Sequence, residues 1–108
     1  MKYLITESQF DSILFQYLDN QDFIRIKKGD NIYFVNSEDD EYAQIRYANT
    51  DGWCFIYYEL INEISAFFSL QRSDSEKVIG RWVKNTLQMK VTNTTQSRKG
   101  WLELVENT

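Results

Sequence analysis

The stretch IYFVNSEDDEYAQIRYANTDGWCFIYY, residues 32–58, decides the fold that we predict. Aromatic and β-branched residues dominate three runs within it, which is typical of half-buried strands. An acidic break separates the first two runs, and an Asp51-Gly52 pair that favours a tight hairpin separates the last two. We therefore predict three antiparallel strands, at residues 32–36, 42–48 and 53–58.

The middle strand indicates which side chains face the core, because successive side chains point to opposite faces of a sheet. Its inward set is predicted to be Ala43, Ile45 and Tyr47, and its outward set Tyr42, Gln44 and Arg46. In the third strand two apolar sets alternate, Trp53, Phe55 and Tyr57 against Cys54, Ile56 and Tyr58. The pattern alone leaves open which of these two sets is buried.

Three amphipathic helices flank the strands. The first is predicted from Glu7 to Leu18 after a Thr6-to-Gln9 capping box, the second from Leu60 to about Leu70, and the third after a Ser73-to-Glu76 capping box. Their apolar stripes are Phe10, Ile13, Leu14, Tyr17 and Leu18; Leu60, Ile61, Ile64, Phe67 and Phe68; and Val78, Ile79, Trp82, Val83 and Leu87. Gly80 interrupts the third stripe and indicates a place where another backbone comes close.

The predicted fold is α+β, an antiparallel three- or four-stranded meander with an N-terminal helix and two C-terminal helices packed on one face. Residues 23–27 alternate like the fourth strand. The length of 108 residues fits one domain, which we place at residues 1–90. Residues 91–108 are predicted to be a polar loop and a C-terminal tail, in which residues 101–105 could form a late strand or dock.

Charge is unevenly spread along the chain. The net charge is −4, with 14 acidic and 6 basic residues in residues 1–76 and 2 acidic and 6 basic residues in residues 77–108. The sequence contains neither a signal peptide nor an apolar run of membrane-spanning length, so we expect an intracellular protein. The acidic residues 38–41 lack the spacing and glycine of a calcium loop and are predicted to form a solvated turn.

The side chains that most catalytic sites need are scarce. The sequence has no histidine and one cysteine, and its four glycines form no phosphate-binding loop. Cys54 lies in an apolar run and is predicted to be a buried small hydrophobe. We therefore predict that the chain is not an enzyme and uses neither a cofactor nor a metal.

Two groups of residues are candidates for binding. The first, the aromatic platform, comprises Tyr33, Gln44, Arg46, Trp53 and Tyr57. It could be a protein interface, could stack unpaired bases, or could be covered by the chain's own tail through Trp101 and Leu104. The second is a basic group that could contact nucleic acid or simply be a solvated helix face: Arg81, Lys84, Lys90, Arg98 and Lys99.

Two segments resemble small uncharacterised proteins of tailed bacteriophages and marine viral sequences. The first is the opening Tyr3-Leu4-Ile5-Thr6-Glu7-Ser8-Gln9, and the second runs from Phe67-Phe68-Ser69-Leu70 through Val78-Ile79 to Trp82-Val83. The resemblance covers residues 1–10 and 31–87 and consists of packing and capping patterns. It implies a phage-derived protein in the cytoplasm of an infected bacterium or in the virion, and it carries no active-site residues.

These observations lead to one functional hypothesis and one alternative. We expect a non-enzymatic interaction module that binds a host or virion protein through the aromatic platform, with a homodimer as one form that this contact could take. The alternative is a nucleic-acid-binding accessory protein that uses the basic third helix and the tail. A membrane partner is not expected.

Overall fold

The chain forms an α+β unit, as its sequence predicts. The structure is a computed structural model and describes residues 7–37, 42–98 and 100–101. Its elements are α1 Glu7–Asp19, β1 Ile24–Lys28, β2 Asn31–Val35, β3 Tyr42–Ala43, β4 Ile45–Ala48, β5 Trp53–Tyr57, α2 Tyr58–Phe68, α3 Arg72–Leu87, β6 Asn93–Ser97 and β7 Gly100–Trp101. The N-terminal helix, the mostly antiparallel sheet and the two later helices are therefore confirmed.

The main sheet has five strands, in the order β1-β2-β4-β5-β6. The first four strands are antiparallel neighbours, which confirms the meander and its fourth strand. β6 is parallel to β5, and α2 and α3 form the crossover that a parallel neighbour requires. The prediction of a polar loop at residues 91–100 is wrong for Asn93–Ser97, because this polar edge strand lacks the apolar alternation by which we recognised the others.

Gln44 divides the predicted strand 42–48 into β3 and β4. Its amide donates to the carbonyl of Phe34 at 2.7 Å, and its carbonyl accepts from the amide of Tyr57 at 3.1 Å. Gln44 is also buried, so the prediction that it lies on the exposed side of the strand is wrong. The interruption also frees β3 to pair with β7, where Tyr42 lies opposite Trp101. The rest of the predicted late segment, residues 102–105, lies outside the described residues.

Both faces of the sheet carry apolar clusters. The face toward the helices contributes Phe34, Ile45, Tyr47, Cys54 and Ile56 to the main core. The opposite face carries a smaller cluster built from Tyr33, Val35, Ala43 and Tyr57, with Ile24, Ile26 and Phe55 packed against it. The choice that the sequence left open is thereby settled, because Cys54 and Ile56 face the helices whereas Trp53, Phe55 and Tyr57 face away. Ala43 is buried as predicted, but in the smaller cluster and not beside Ile45.

The helices bury most of their predicted stripes. The buried members are Leu14 and Leu18 in α1, Leu60, Ile61 and Ile64 in α2, and Val78, Ile79, Trp82 and Val83 in α3. The predicted burial of Ile13 and Phe67 is wrong, since these side chains are 49% and 66% exposed. Both residues lie at the margin of their stripes, where a 3.6-residue period cannot distinguish the edge of the core from the surface.

The start of α3 differs from the predicted capping box. Gln71 is the N-cap and makes no side-chain capping bond, and Ser73 lies inside the first turn. Glu76 instead accepts a hydrogen bond from the Thr94 hydroxyl of β6, at 2.6 Å. The first predicted capping box involves Thr6, which lies outside the described residues.

Gly80 faces β6. A Cβ atom at this position would lie 2.5 Å from Cγ2 of Thr94, far inside van der Waals contact. The predicted close approach at Gly80 therefore exists, although a strand side chain and not a backbone makes it. The missing side chain lets α3 lie against the polar edge strand.

Candidate functional site

The aromatic platform is largely covered within the chain itself. Tyr33, Gln44 and Tyr57 are only 1%, 5% and 6% exposed, whereas Arg46 and Trp53 are half-buried. Tyr33 and Tyr57 belong to the smaller apolar cluster together with Ala43 of β3. An open platform of all five residues is therefore not formed, and what stays accessible is part of Arg46 and Trp53.

Arg46 and Trp53, the accessible residues of the platform, both contact the ring of Phe55. The guanidinium carbon of Arg46 lies 4.0 Å from the ring centroid of Phe55, a cation–π contact. Trp53 stacks on the same phenylalanine at a centroid distance of 6.1 Å and an interplanar angle of 27°. Because Arg46 and Phe55 are directly opposite each other in the β4–β5 register, the sheet itself sets this geometry.

Two buried polar atoms beneath this remainder have no hydrogen-bond partner among the described residues. They are the hydroxyl oxygen of Tyr33 and Nε of Arg46. Burial raises the pKa of the nearby Tyr57 hydroxyl, and the Arg46 guanidinium partly opposes that rise. An unpartnered hydroxyl in such a place costs about 1–3 kcal/mol of stability.

The helical layer carries a largely aromatic cluster that the sequence did not indicate, in which Ile13 and Phe67 are exposed and the other three side chains are half-buried against the core. We call it the helical patch, and it consists of Phe10, Ile13, Tyr17, Phe67 and Phe68. The Tyr17 ring lies 4.8 Å from Phe67 and 5.2 Å from Phe68, between centroids. Ile13 is four residues before Tyr17 on α1 and is therefore its neighbour on the helix surface.

The residues of the predicted basic group lie in different places. Arg81 is fixed by two hydrogen bonds to the Asp11 carboxylate of α1, both 2.7 Å long. Lys84 and Lys90 line the same cleft as Arg81. Arg98 follows Ser97 at the other end of β6, and Lys99 lies outside the described residues. The structure thus brings together three of the five predicted residues.

The cleft between α1 and the end of α3 is the second candidate site. It has a volume of about 620 Å³ and is lined by Asp11, Phe15, Arg81, Lys84, Asn85, Gln88, Met89 and Lys90. A bond of 2.9 Å from the Trp82 indole to Asp19 also joins the two helices. The basic side of the third helix predicts part of this cleft. The sequence does not predict the contribution of Phe15, because it depends on how the helices pack.

The part of the chain that the structure describes also contains side chains of the types that bind metals, and one cysteine. Within residues 7–37, 42–98 and 100–101, no cluster of three His, Cys, Asp or Glu side chains could hold a metal ion. Cys54 is fully buried, as predicted, and burial raises the pKa of its thiol from 9.0 to about 12. Among the described helices, none has both the length and the apolar content needed to cross a lipid bilayer.

Comparison with known proteins does not assign the chain to a family. No family model, no curated protein and no solved structure matches it. The geometry of the two candidate sites therefore carries the functional argument. The helical patch is an apolar surface, and the α1–α3 cleft is a concave one.

Proposed function

We propose that the chain is a non-enzymatic protein-interaction module that binds its partner through the helical patch. The observation that carries this proposal is the exposure of Phe67, which contacts the Tyr17 ring, together with that of Ile13, which lies one helical turn before Tyr17. Single exposed apolar side chains are common on soluble proteins, but contiguous ones mark binding surfaces. Aromatic side chains are also the usual anchors of protein interfaces.

The patch is preorganised for binding. Phe67 packs on Tyr17 and also on Phe68, with a centroid distance of 4.9 Å to the latter. The Tyr17 hydroxyl donates to the Glu63 carboxylate at 3.2 Å, which restrains the ring. A partner therefore meets side chains that have already lost much of their rotamer freedom, and this lowers the entropic cost of association.

Charge next to the patch indicates the chemistry of the partner. Glu59, Glu63 and Phe67 follow one another at four-residue spacing on α2, so two exposed carboxylates continue the ridge that ends at Phe67. The whole chain is also acidic, with a net charge of −4. A partner with an apolar centre and basic residues beside it complements this surface, and opposite charge would speed the encounter.

The resemblance to phage proteins supports a host or virion protein as this partner. Under that hypothesis the chain acts in the cytoplasm of the infected bacterium or as a virion component. A homodimer through the same patch is the second form of the proposal. In a symmetric dimer Phe67 would pack against the patch of the other copy.

Paired affinity capture tests the proposal. Wild-type chain, Phe67→Ser and Met89→Ser serve as baits in infected-host lysate, and light scattering after size exclusion gives the mass of each bait alone. Met89 is the matched control because it is an exposed apolar side chain in the cleft, away from the patch. We expect Phe67→Ser alone to lose the partner or the dimer. Recovery that is equal for all three baits, or a monomer that captures nothing, would contradict the proposal.

Binding of nucleic acid is our second candidate function. The gathering of Arg81, Lys84 and Lys90 at one cleft favours it. The Arg81–Asp11 ion pair and the remote position of Arg98 weigh against a continuous basic track. The test is a salt titration against single- and double-stranded DNA, in which binding should be strongest at low salt. Failure to bind either single- or double-stranded DNA at low salt would exclude this function.

A further inference from the structure

The α1–α3 cleft combines features of a small-molecule site that are independent of the helical patch. It is a groove that opens widely to solvent, and its volume of about 620 Å³ is large enough to hold part of a small ligand. One wall is fixed by the two bonds between Arg81 and Asp11. The cleft is therefore positioned by the packing of two helices.

The charge of the lining is opposite in sign to that of the chain. One acidic and three basic side chains line the cleft, which gives a local charge of +2 in a chain of net charge −4. Asp11 is already paired with Arg81. Among the residues that the structure describes, neither Lys84 nor Lys90 takes part in an ion pair. Two ammonium groups therefore remain for an anion.

Both lysines stand on fixed backbone. Lys84 lies in the last turn of α3, one turn after Arg81. The carbonyl of Lys90 accepts a hydrogen bond of 2.8 Å from the hydroxyl of Tyr47, a core residue. Only the lysine side chains must become ordered when an anion binds, so the entropic cost is confined to them.

An apolar surface lies beside these charges. Phe15 contributes a half-buried ring, and Met89 a side chain that is 37% exposed. A thioether packs favourably against aromatic rings. Inorganic phosphate would leave this surface unused, whereas a ligand that carries both a ring and a phosphate would cover it.

We propose that the α1–α3 cleft binds a small phosphate-bearing ligand with an aromatic body, of which a nucleoside monophosphate is the simplest form. The ring contacts Phe15 and Met89, and the phosphate contacts the ammonium groups of Lys84 and Lys90. The amides of Asn85 and Gln88 border the same space and offer hydrogen bonds to the polar edge of a base. Nothing in this proposal depends on a protein partner at the helical patch.

The test is a nuclear magnetic resonance titration of the full chain with adenosine monophosphate, adenosine and inorganic phosphate in separate arms. We expect saturable shifts of backbone amides at residues 84–90 with adenosine monophosphate. Adenosine and inorganic phosphate should each bind at least about tenfold more weakly than adenosine monophosphate, because each makes only part of the contacts. Shifts that map elsewhere, the absence of saturable shifts, or equal binding of inorganic phosphate would overturn the proposal.

Variants separate the two halves of the site. Lys84→Gln and Lys90→Gln should each raise the Kd for adenosine monophosphate by about fivefold, the effect of losing one exposed charge contact. Met89→Ser should weaken adenosine binding and leave inorganic phosphate binding unchanged. Lys27→Gln is the control, because Lys27 is an exposed lysine on β1 that does not line the cleft. Equal weakening by Lys27→Gln and the two cleft variants would refute the assignment.

Discussion

Replacing Gly80 with alanine is expected to destabilise the chain, although alanine is the better helix former. Inside a helix this change alone should stabilise by about 1 kcal/mol. The new methyl group, however, would lie 2.5 Å from Cγ2 of Thr94, where a normal carbon–carbon contact is about 3.5–4.0 Å. Overpacking of this kind costs about 1–3 kcal/mol. We expect Gly80→Ala to lower the free energy of unfolding by roughly 1 kcal/mol in total.

The clash should not be relieved by a shift of Thr94, because this side chain cannot easily move. Its side chain is branched at Cβ and therefore stiff, and its hydroxyl is held by the Glu76 carboxylate at 2.6 Å. Thr94→Ser removes the clashing methyl group and keeps the hydroxyl. In that background Gly80→Ala should become stabilising by up to about 1 kcal/mol, so that the two changes couple by about 2 kcal/mol.

Urea unfolding of the wild type, both single variants and the double variant measures this coupling. Circular dichroism or tryptophan fluorescence gives the midpoint and the m-value of each transition, and unchanged m-values allow the free energies to be compared. If Gly80→Ala had the same effect with Thr94 and with serine at position 94, α3 would not be packed on β6. That result would refute the close approach of Gly80 to Thr94.

Two further predictions concern buried side chains. Tyr33→Phe removes a hydroxyl that has no partner among the described residues, so it should leave stability unchanged or raise it by roughly 1 kcal/mol. Tyr47→Phe removes the hydrogen bond to the Lys90 carbonyl, so it should lower stability by about 1 kcal/mol. Equal effects of the two variants in urea unfolding would contradict the assigned partners. Because the folded chain raises the pKa of Cys54 from 9.0 to about 12, stability should fall as the pH rises through this window, with at most about 1.4 kcal/mol per pH unit from this thiol. Cys54→Ala should show a shallower fall, and an identical pH dependence would exclude the thiol as a source.

The predictable part of the fold rests on periodic burial. The stripes containing Leu14, Ile61 and Ile79 predict the three helices, and alternation predicts the antiparallel strands, although Gln44 divides the predicted strand 42–48 into two. Periodic burial does not predict β6, because Asn93–Ser97 is polar and is stabilised by pairing with β5 and by contact with α3. Its only local trace was Gly80, a helix-weakening residue whose position depends on a strand far along the chain.

The candidate sites were harder to predict than the fold, because exposure depends on non-local packing. Tyr33 alternates like an outward residue, yet it lies in an apolar cluster with Ala43 of β3. Phe67 continues a buried stripe, yet it is exposed, whereas its neighbour Phe68 packs against the core. Neither outcome is encoded in the spacing of the residues themselves.

Binding measurements on the captured partner test the central claim most directly, which is that the helical patch and not the sheet platform is the interaction surface. Calorimetry would compare the wild type, Phe67→Ser and Trp53→Ser against the same partner. We predict that Phe67→Ser weakens binding at least about tenfold, as expected for a hot-spot residue, and that Trp53→Ser changes it by less than about twofold. Strong weakening by Trp53→Ser with unchanged binding of Phe67→Ser would contradict the account.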